Sequence, residues 1–297
     1  MPSSIYRSQA AQDRIRSWCA QRLSAWPVAH ERRRIDTAAG PTGVVVVEAF
    51  PGVRAATVVL IPGTNMNAAV STSLMEALAE VGRLVVLDVP GQPGLSSGRR
   101  PRSRSRMDWY AGWPAEALPQ VTREPAVVVG HSLGAAIALA CPSDLIAGRV
   151  LVSPGGLMRL RLGASALGAT LPWLLRPSAS STRKLLGCMT GPEGSVQPEL
   201  AAWMQLVGRS CRSSLAPSPL PAAALDRARS TPCLVMVGSR DTFLPHPALG
   251  PTVERRLGVP LHVIPGMGHL VPEEAPARMA ALVAEFLPPR DHGIKSA

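Results

Sequence analysis

Seven short runs rich in valine, leucine and isoleucine are spread along the chain, and most do not alternate with polar residues. The runs are residues 44–47, 57–61, 84–87, 126–129, 150–152, 233–237 and 261–264. Unbroken apolar runs of this length are typical of strands that are buried on both faces, as in a parallel sheet. Such a sheet needs a crossover between successive strands, which is usually a helix.

Segments with helical periodicity do lie between several of these runs. They include residues 10–26, 71–81 and 107–118, and a last helix whose first turn contains Pro276. The alternation predicts an α/β fold with a mostly parallel, doubly wound sheet. Residues 157–230 contain no strand-like run, so we expect them to form a helical cap over one end of the sheet.

The predicted organisation therefore has four parts. Residues 1–42 form an N-terminal helix and lead-in, and residues 43–156 and 231–290 form the α/β core. Residues 157–230 form the cap, and residues 291–297 form a flexible tail.

Composition indicates a globular protein: 46% of the 297 residues are hydrophobic and 17% are charged, enough for a sizeable core. No run of about 18 apolar residues occurs, and charged residues interrupt the N-terminus, so we expect neither a membrane span nor a secretory leader. The five cysteines are widely spaced and form no Cys-x-x-Cys pair. This pattern favours reduced thiols in the cytoplasm, and we expect no metal or other cofactor.

The formal net charge of +11 raises the question of an anionic partner. The main basic cluster is residues 99–106, with arginines at Arg99, Arg100, Arg102, Arg104 and Arg106. This cluster is either a solvated loop or a docking patch for an acidic partner such as an acyl carrier protein. No zinc-finger spacing or aromatic RNA-binding motif accompanies it, so we expect no nucleic acid partner.

The run at 126–129 ends in the pentapeptide Gly130-His-Ser-Leu-Gly134, which small helix-forming residues follow. A Gly-x-Ser-x-Gly sequence between a strand and a helix predicts a nucleophile elbow, a sharp turn that exposes the serine hydroxyl. The alternative is that the glycines only allow close strand–helix packing. The strand–turn–helix context favours Ser132 as a nucleophile.

A serine nucleophile needs a base, and the base needs an acid that orients it. His269 lies in a glycine-rich loop between the last run and the last helix, and Asp241 directly follows the run at 233–237. We therefore predict Ser132, His269 and Asp241 as the catalytic residues, with His246 as the alternative base. His131 is expected to pack beside the serine.

An acyl-transfer site also needs donors for the oxyanion. The backbone N–H groups of Leu133, which follows the serine, and of Thr64, in the loop at 60–67, are the candidates. We further predict a partly apolar substrate pocket. Its candidate lining residues are Asn65, Trp109, Trp173 and Trp203.

Four motifs together resemble the α/β-hydrolase superfamily, in its capped, bacterial esterase-like branch. They are Leu60-Ile-Pro-Gly63, Asp88-Val-Pro-Gly-Gln-Pro-Gly-Leu-Ser96, Gly238-Ser-Arg-Asp241 and Gly266-Met-Gly-His269. The first resembles the family's His-Gly loop, with Pro62 in place of the histidine. The resemblance covers residues 26–287 and implies this fold and a triad of Ser132, Asp241 and His269.

The resemblance does not specify a substrate. The leading prediction is a serine hydrolase that cleaves a small-molecule carboxylic ester, thioester or lactone through an acyl-enzyme. Two alternatives stay open. One is an acyltransferase or cyclase of natural-product biosynthesis that uses the same triad, and the other is a ligand-binding protein that retains the triad.

Overall fold

The computed structural model describes residues 3–50, 56–101, 106–160, 163–194, 197–212 and 216–287. The predicted tail, residues 291–297, lies outside these ranges. The strands of the described chain are β1 (Ser3–Ser4), β2 (Glu31–Ile35), β3 (Thr42–Val47), β4 (Thr57–Ile61), β5 (Arg83–Leu87), β6 (Arg99–Arg100), β7 (Ala126–His131), β8 (Ile146–Val152), β9 (Cys233–Gly238) and β10 (Leu261–Ile264).

Helices separate most of the strands. They are α1 (Gln9–Ser24), α2 (Thr72–Ala79), α3 (Arg106–Val121), α4 (Leu133–Ala140), α5 (Ala164–Leu175), α6 (Ala179–Met189), α7 (Pro198–Ser210), α8 (Ala222–Arg229), α9 (His246–Leu257), α10 (Val271–Glu274) and α11 (Pro276–Phe286). No helix in these described ranges is long and apolar enough to cross a membrane.

Eight strands form one sheet in the order β10-β9-β8-β7-β4-β5-β3-β2. Strand β3 runs antiparallel to both of its neighbours, and the remaining pairs are parallel. All seven predicted strands are therefore confirmed. The outermost strand β2 was not predicted, because four of its five residues are exposed and they carry charge instead of an apolar pattern.

The core lies on both faces of this sheet, because alternate residues of each strand point to opposite sides. Val45 and Val47 of β3 face a cluster with residues of α1, α2, α7 and α11, whereas Val44 and Val46 face a cluster with residues of α3, α4, α8 and α9. Helices on both faces explain why the strands are apolar throughout. The prediction of a doubly wound, mostly parallel sheet is confirmed.

Helices α5 to α8 occupy the interval between β8 and β9 that was predicted as a cap, and the described part of this interval contains no strand of the sheet. Helices α5, α6 and α7 pack on one another in series. Helix α8 differs: it packs against α4 and α9, and its Leu225 is buried in the core cluster on that face. It is a layer of the core, since its apolar side chains cover the sheet, and the cap proper ends before it.

The Asp88–Ser96 motif holds the loop after β5 against its neighbours. The Asp88 carboxylate accepts hydrogen bonds from the backbone N–H groups of Ala68, at 2.8 Å, and Leu95, at 3.2 Å. The Ser96 hydroxyl donates to the Asp88 carbonyl at 2.6 Å. Complete burial raises the pKa of Asp88 to about 6, although both hydrogen bonds favour its charged form. The motif therefore has a structural role.

Candidate active site

Ser132 lies at a strained turn between β7 and α4. Its φ of 51° and ψ of −106° are outside the ordinary regions for a residue with a Cβ atom, and they turn the side chain out of the strand. The turn requires glycine at 134, because a Cβ atom there would overlap the carbonyl oxygen of Ile61. A Cβ atom at Gly130 would lie 2.6 Å from the backbone of Ala135. Both glycines thus allow the strand and the helix to pack closely, and this close packing forms the turn that presents the Ser132 hydroxyl.

The structure brings the three predicted residues into one hydrogen-bonded row. The His269 Nε2 atom lies 3.1 Å from the Ser132 hydroxyl oxygen, and its Nδ1 atom lies 2.8 Å from Asp241 Oδ2. The side chains come from three loops at the carboxyl ends of β7, β9 and β10. His246, the alternative base, begins α9, and it is His269 that contacts Ser132.

The Asp241 carboxylate is buried and kept ionised by its surroundings. Its other oxygen, Oδ1, accepts hydrogen bonds from the N–H groups of Phe243 and Leu244, both at 2.9 Å. Burial by itself would raise the pKa of Asp241, but the charge and hydrogen bond of His269, together with the Leu244 N–H, outweigh it and lower the pKa to about 2. Asp241 can therefore orient an imidazole and stabilise its protonated form.

His131 contacts the backbone of His269. Its Nε2 atom lies 2.9 Å from the His269 carbonyl oxygen, and the two rings are 5.3 Å apart. Burial, with the nearby charge of His269, lowers the pKa of His131 to about 3, so the ring is neutral and donates from Nε2. The expected packing beside the serine occurs, and it includes a hydrogen bond that the sequence did not reveal.

The loop that carries His269 is held directly against the cap. The backbone N–H groups of His269 and Leu270 donate to the carbonyl oxygen of Met189, the last residue of α6, at 2.6 and 3.2 Å. Glu274 spans the two segments, because one carboxylate oxygen accepts from Gly268 N–H at 2.9 Å and the other from Gly191 N–H at 2.6 Å. The position of the imidazole therefore depends on the cap.

The two predicted oxyanion donors flank Ser132 from different segments. Leu133 is the first residue of α4, where backbone N–H groups lack helical acceptors, and Thr64 follows β4. In the described part of the chain, neither of these two N–H groups has a protein acceptor. Thr64 also lines the pocket beside Ser132. The arrangement leaves both donors available to a ligand oxygen.

The pocket at Ser132 is small and largely apolar. Its volume is about 50 Å³, and its lining residues are Thr64, Met66, His131, Ser132, Leu186, Met189, Leu200, Met204, His269 and Leu270. Helices α6 and α7 of the cap supply four of these side chains. Part of the interval predicted as a cap thus lines the pocket, and its extent as a cap, residues 157–230, stays a prediction.

The structure places the four predicted pocket residues outside this lining. Trp203 is fully buried, and its Nε1 atom donates to the carbonyl oxygen of Asn65 at 2.7 Å. Trp173 donates to the Met204 carbonyl at 3.2 Å, and Trp109 packs on Tyr110. The Trp203 bond joins the cap to the core and the Trp173 bond joins two cap helices, since a buried Trp N–H needs an acceptor. Methionine and leucine side chains, and none of the predicted tryptophans, line the pocket.

The predicted carrier-protein patch is described only in part, because Arg102 and Arg104 lie outside the described residues. Arg100 is partly buried and donates to the carbonyl oxygens of Gly91 and Arg212, both at 3.1 Å. The bond to Arg212 attaches Arg100 to the segment after α7, and the bond to Gly91 attaches it to the loop after β5. Docking of an acyl carrier protein at residues 99–106 stays a prediction.

Comparison with known proteins agrees with this fold. The model of the Alpha/beta hydrolase family matches residues 58–282, which is more than half of the chain. The chain belongs to the α/β-hydrolase family. Family membership supports an enzyme of the serine-hydrolase or esterase kind. No curated protein sequence matches this α/β-hydrolase significantly.

Solved structures of other proteins share the fold. Carboxylesterase CesB of Bacillus subtilis is 17% identical, with a TM-score of 0.74 over 93% of this chain and 98% of that chain. Naproxen esterase, carboxylesterase NP, of Bacillus subtilis is 18% identical, with a TM-score of 0.75 over 94% and 99% of the two chains. A serine hydrolase involved in carbazole degradation is 17% identical, with a TM-score of 0.66 over 87% and 98%. At these identities, the likeness shows the fold.

Proposed function

We propose that this α/β-hydrolase cleaves carboxylic esters through a covalent acyl-enzyme on Ser132. The observation that carries the proposal is the hydrogen-bonded row from the Ser132 hydroxyl through His269 to Asp241, with contacts of 3.1 and 2.8 Å. A serine hydroxyl becomes an effective nucleophile only when a base accepts its proton, and the base must be held in the correct tautomer. Both requirements are supported by groups in direct contact.

In the proposed reaction, Ser132 Oγ attacks the ester carbonyl carbon while His269 Nε2 accepts the hydroxyl proton. Asp241 stabilises the imidazolium through Nδ1–H. The carbonyl oxygen becomes an oxyanion that accepts hydrogen bonds from the N–H groups of Thr64 and Leu133. When the tetrahedral intermediate collapses, the carbon–oxygen bond to the leaving group breaks, and His269 returns the proton to the departing alcohol.

Hydrolysis then completes the cycle. Water gives a proton to His269 Nε2 and attacks the acyl carbonyl, and a second tetrahedral intermediate forms at the same oxyanion donors. Its collapse breaks the bond to Ser132 Oγ, which recovers the proton from His269. The carboxylic acid is released, and the resting enzyme is restored.

Pocket size favours a short acyl group. A volume of about 50 Å³ is below the several hundred Å³ of sites that enclose drug-sized ligands. A cavity needs roughly 10–15 Å³ to hold one water, so this pocket has room for about four groups of that size. It therefore suits an acyl chain of about two to four carbons. Three of the lining side chains are methionines, which adapt their shape easily. Longer chains therefore require the methionines to rearrange.

The test is a comparison of p-nitrophenyl acetate, butyrate and octanoate as substrates. We expect hydrolysis to the free acid, with kcat/KM falling from the short esters to octanoate. Ser132→Ala and His269→Ala should each lower kcat by about 10³-fold or more. The matched controls, Ser143→Ala and His246→Ala, should keep wild-type rates.

Two results would contradict the proposal. Activity of His269→Ala above about a tenth of wild type would show that His269 is not the base. Acyl transfer to an added alcohol, with no free acid formed, would show that the acyl-enzyme serves an acyltransferase.

A further inference from the structure

Helix α5 of the cap turns a row of leucines to the solvent. Leu167 is 50% exposed, Leu171 57% and Leu175 72%, and Leu174 beside them is 37% exposed. These positions recur every three to four residues and so share one helical face. The opposite face is buried through Ala166, Ala169 and Trp173. The leucines thus point away from the body of the protein.

This concentration of exposed leucines on one helix is unusual within the described part of the molecule. Among the described residues, six large hydrophobic side chains are strongly exposed, and four of them are these leucines. The whole of α5, with the sequence ASALGATLPWLL, carries no charge. Single exposed leucines are ordinary, but an apolar patch on one face marks a surface that another body covers.

The surroundings of this leucine face indicate the charge of that body. From residue 145 to residue 192 the sequence contains no aspartate or glutamate. The same stretch carries exposed basic side chains at Arg159, Arg176, Arg183 and Lys184. Arg176 directly follows α5, and α6, which carries Arg183 and Lys184, packs beside α5. Within this stretch the charges near the apolar face are all positive, which complements an anionic surface.

We propose that α5 lies on an anionic lipid bilayer, with its leucines in the boundary between headgroups and acyl chains. Arg176, Arg183 and Lys184 then face the lipid phosphates. A helix of 12 residues is about 18 Å long and cannot cross a bilayer core of about 30 Å, so it lies in the interface. A second copy is the less suitable occupant, because it would oppose two acid-free, basic surfaces on chains of charge +11 each.

The docked surface lies on α5, which packs beside α6, a helix that lines the pocket at Ser132. Helix α6 lines the pocket with Leu186 and Met189 while its Arg183 and Lys184 face outward. Docking would therefore bring the cap to the lipid surface. The binding itself needs no assumption about the reaction at Ser132, so it is tested by binding alone.

The experiment is co-sedimentation of the full chain with vesicles. We expect binding to equimolar phosphatidylglycerol and phosphatidylcholine, and about tenfold weaker binding to phosphatidylcholine alone. About 0.5 M salt, where charges are screened within a few ångströms, should release much of the bound protein. Leu171→Ser with Leu175→Ser should weaken partitioning by about tenfold or more, because both apolar side chains are lost from the interface.

Arg183→Ser with Lys184→Ser should weaken binding to anionic vesicles and leave the weak binding to phosphatidylcholine unchanged. The matched controls lie outside the cap: Val263→Ser removes an exposed apolar side chain of β10, and Arg255→Ser with Arg256→Ser removes two exposed charges of α9. Both controls should bind as wild type does. Circular dichroism and hydrolysis of a short ester check that each variant is folded.

Three results would overturn the proposal. One is a wild-type chain that stays in the supernatant with anionic vesicles, and another is a leucine variant that binds as wild type does. The third is a wild-type dimer, seen by light scattering, that the leucine variant converts to a monomer. That result would make the leucine face a contact between copies of this chain.

Discussion

Replacing Glu274 with glutamine tests whether the cap positions the candidate base. Glu274 accepts one backbone hydrogen bond from Gly268, the residue before His269, and another from Gly191 in the cap. The two segments touch through their backbones, since a Cβ atom at Gly191 would overlap the carbonyl oxygen of Gly266. Glutamine fits the same space and removes the charge. The perturbation is therefore local to this contact.

The expected fall in kcat follows from the two hydrogen bonds of Glu274. Glutamine keeps one acceptor oxygen and presents its NH₂ group to the second N–H, so one hydrogen bond is replaced by a donor–donor contact. A hydrogen bond to a charged group contributes about 1.5–3 kcal/mol. Because about 1.4 kcal/mol in the barrier is tenfold in rate, kcat should fall by about 10- to 100-fold if the loss falls on the position of His269.

Steady-state kinetics on p-nitrophenyl acetate measures the effect, with Glu273→Gln as the neighbouring control. We expect Glu274→Gln to lower kcat while KM changes by less than about threefold, and Glu273→Gln to keep wild-type kcat. Assays well below the melting temperature separate positioning from stability. A Glu274→Gln variant that melts earlier but keeps kcat within about twofold of wild type would refute the reasoning.

Other substitutions test individual groups. Asp241→Asn should lower kcat by about 10³- to 10⁴-fold with circular dichroism unchanged, because an amide cannot stabilise the imidazolium of His269. Burial, reinforced by Glu274, raises the pKa of Glu273 to about 8, so the folded chain keeps a proton that the unfolded chain loses near pH 4.5. Stability should therefore fall from about pH 5 to 8, and urea unfolding of Glu273→Gln should show a smaller fall. Buried Arg149 donates to the carbonyl oxygens of Ala138 and Cys141, so Arg149→Met should lower the free energy of unfolding by about 2–3 kcal/mol, measured in urea.

The sheet could be predicted where strands are buried on both faces, since burial leaves an apolar run in the sequence. Strand β2 could not, because Glu31, Arg32, Arg33 and Arg34 are exposed at the sheet edge, and its backbone pairing with β3 leaves no apolar pattern in the sequence. Helix α8 follows the cap helices in the sequence with no strand-like run between them. Its place on the core follows from packing against α4, which no local pattern encodes.

The three residues of the candidate site could be predicted because each sits in a motif after a strand. Glu274 could not, since it binds two backbone N–H groups, and a backbone group has no sequence signature. The hydrogen bond of His131 to the His269 carbonyl was missed for the same reason. The tryptophans were assigned to the pocket from residue type alone. A tryptophan in a sequence predicts burial, as found for Trp173 and Trp203, but it does not predict which cavity the indole faces.

The most direct test of the central claim is labelling by a fluorophosphonate, followed by intact mass and peptide mapping. A serine that passes its proton to His269 should displace fluoride and form one stable phosphonyl ester. We predict a single, rapid modification at Ser132 in the wild type, none in Ser132→Ala and a much slower one in His269→Ala. An unmodified wild-type chain, or a Ser132→Ala variant that is labelled as fast as the wild type, would contradict Ser132 as the nucleophile.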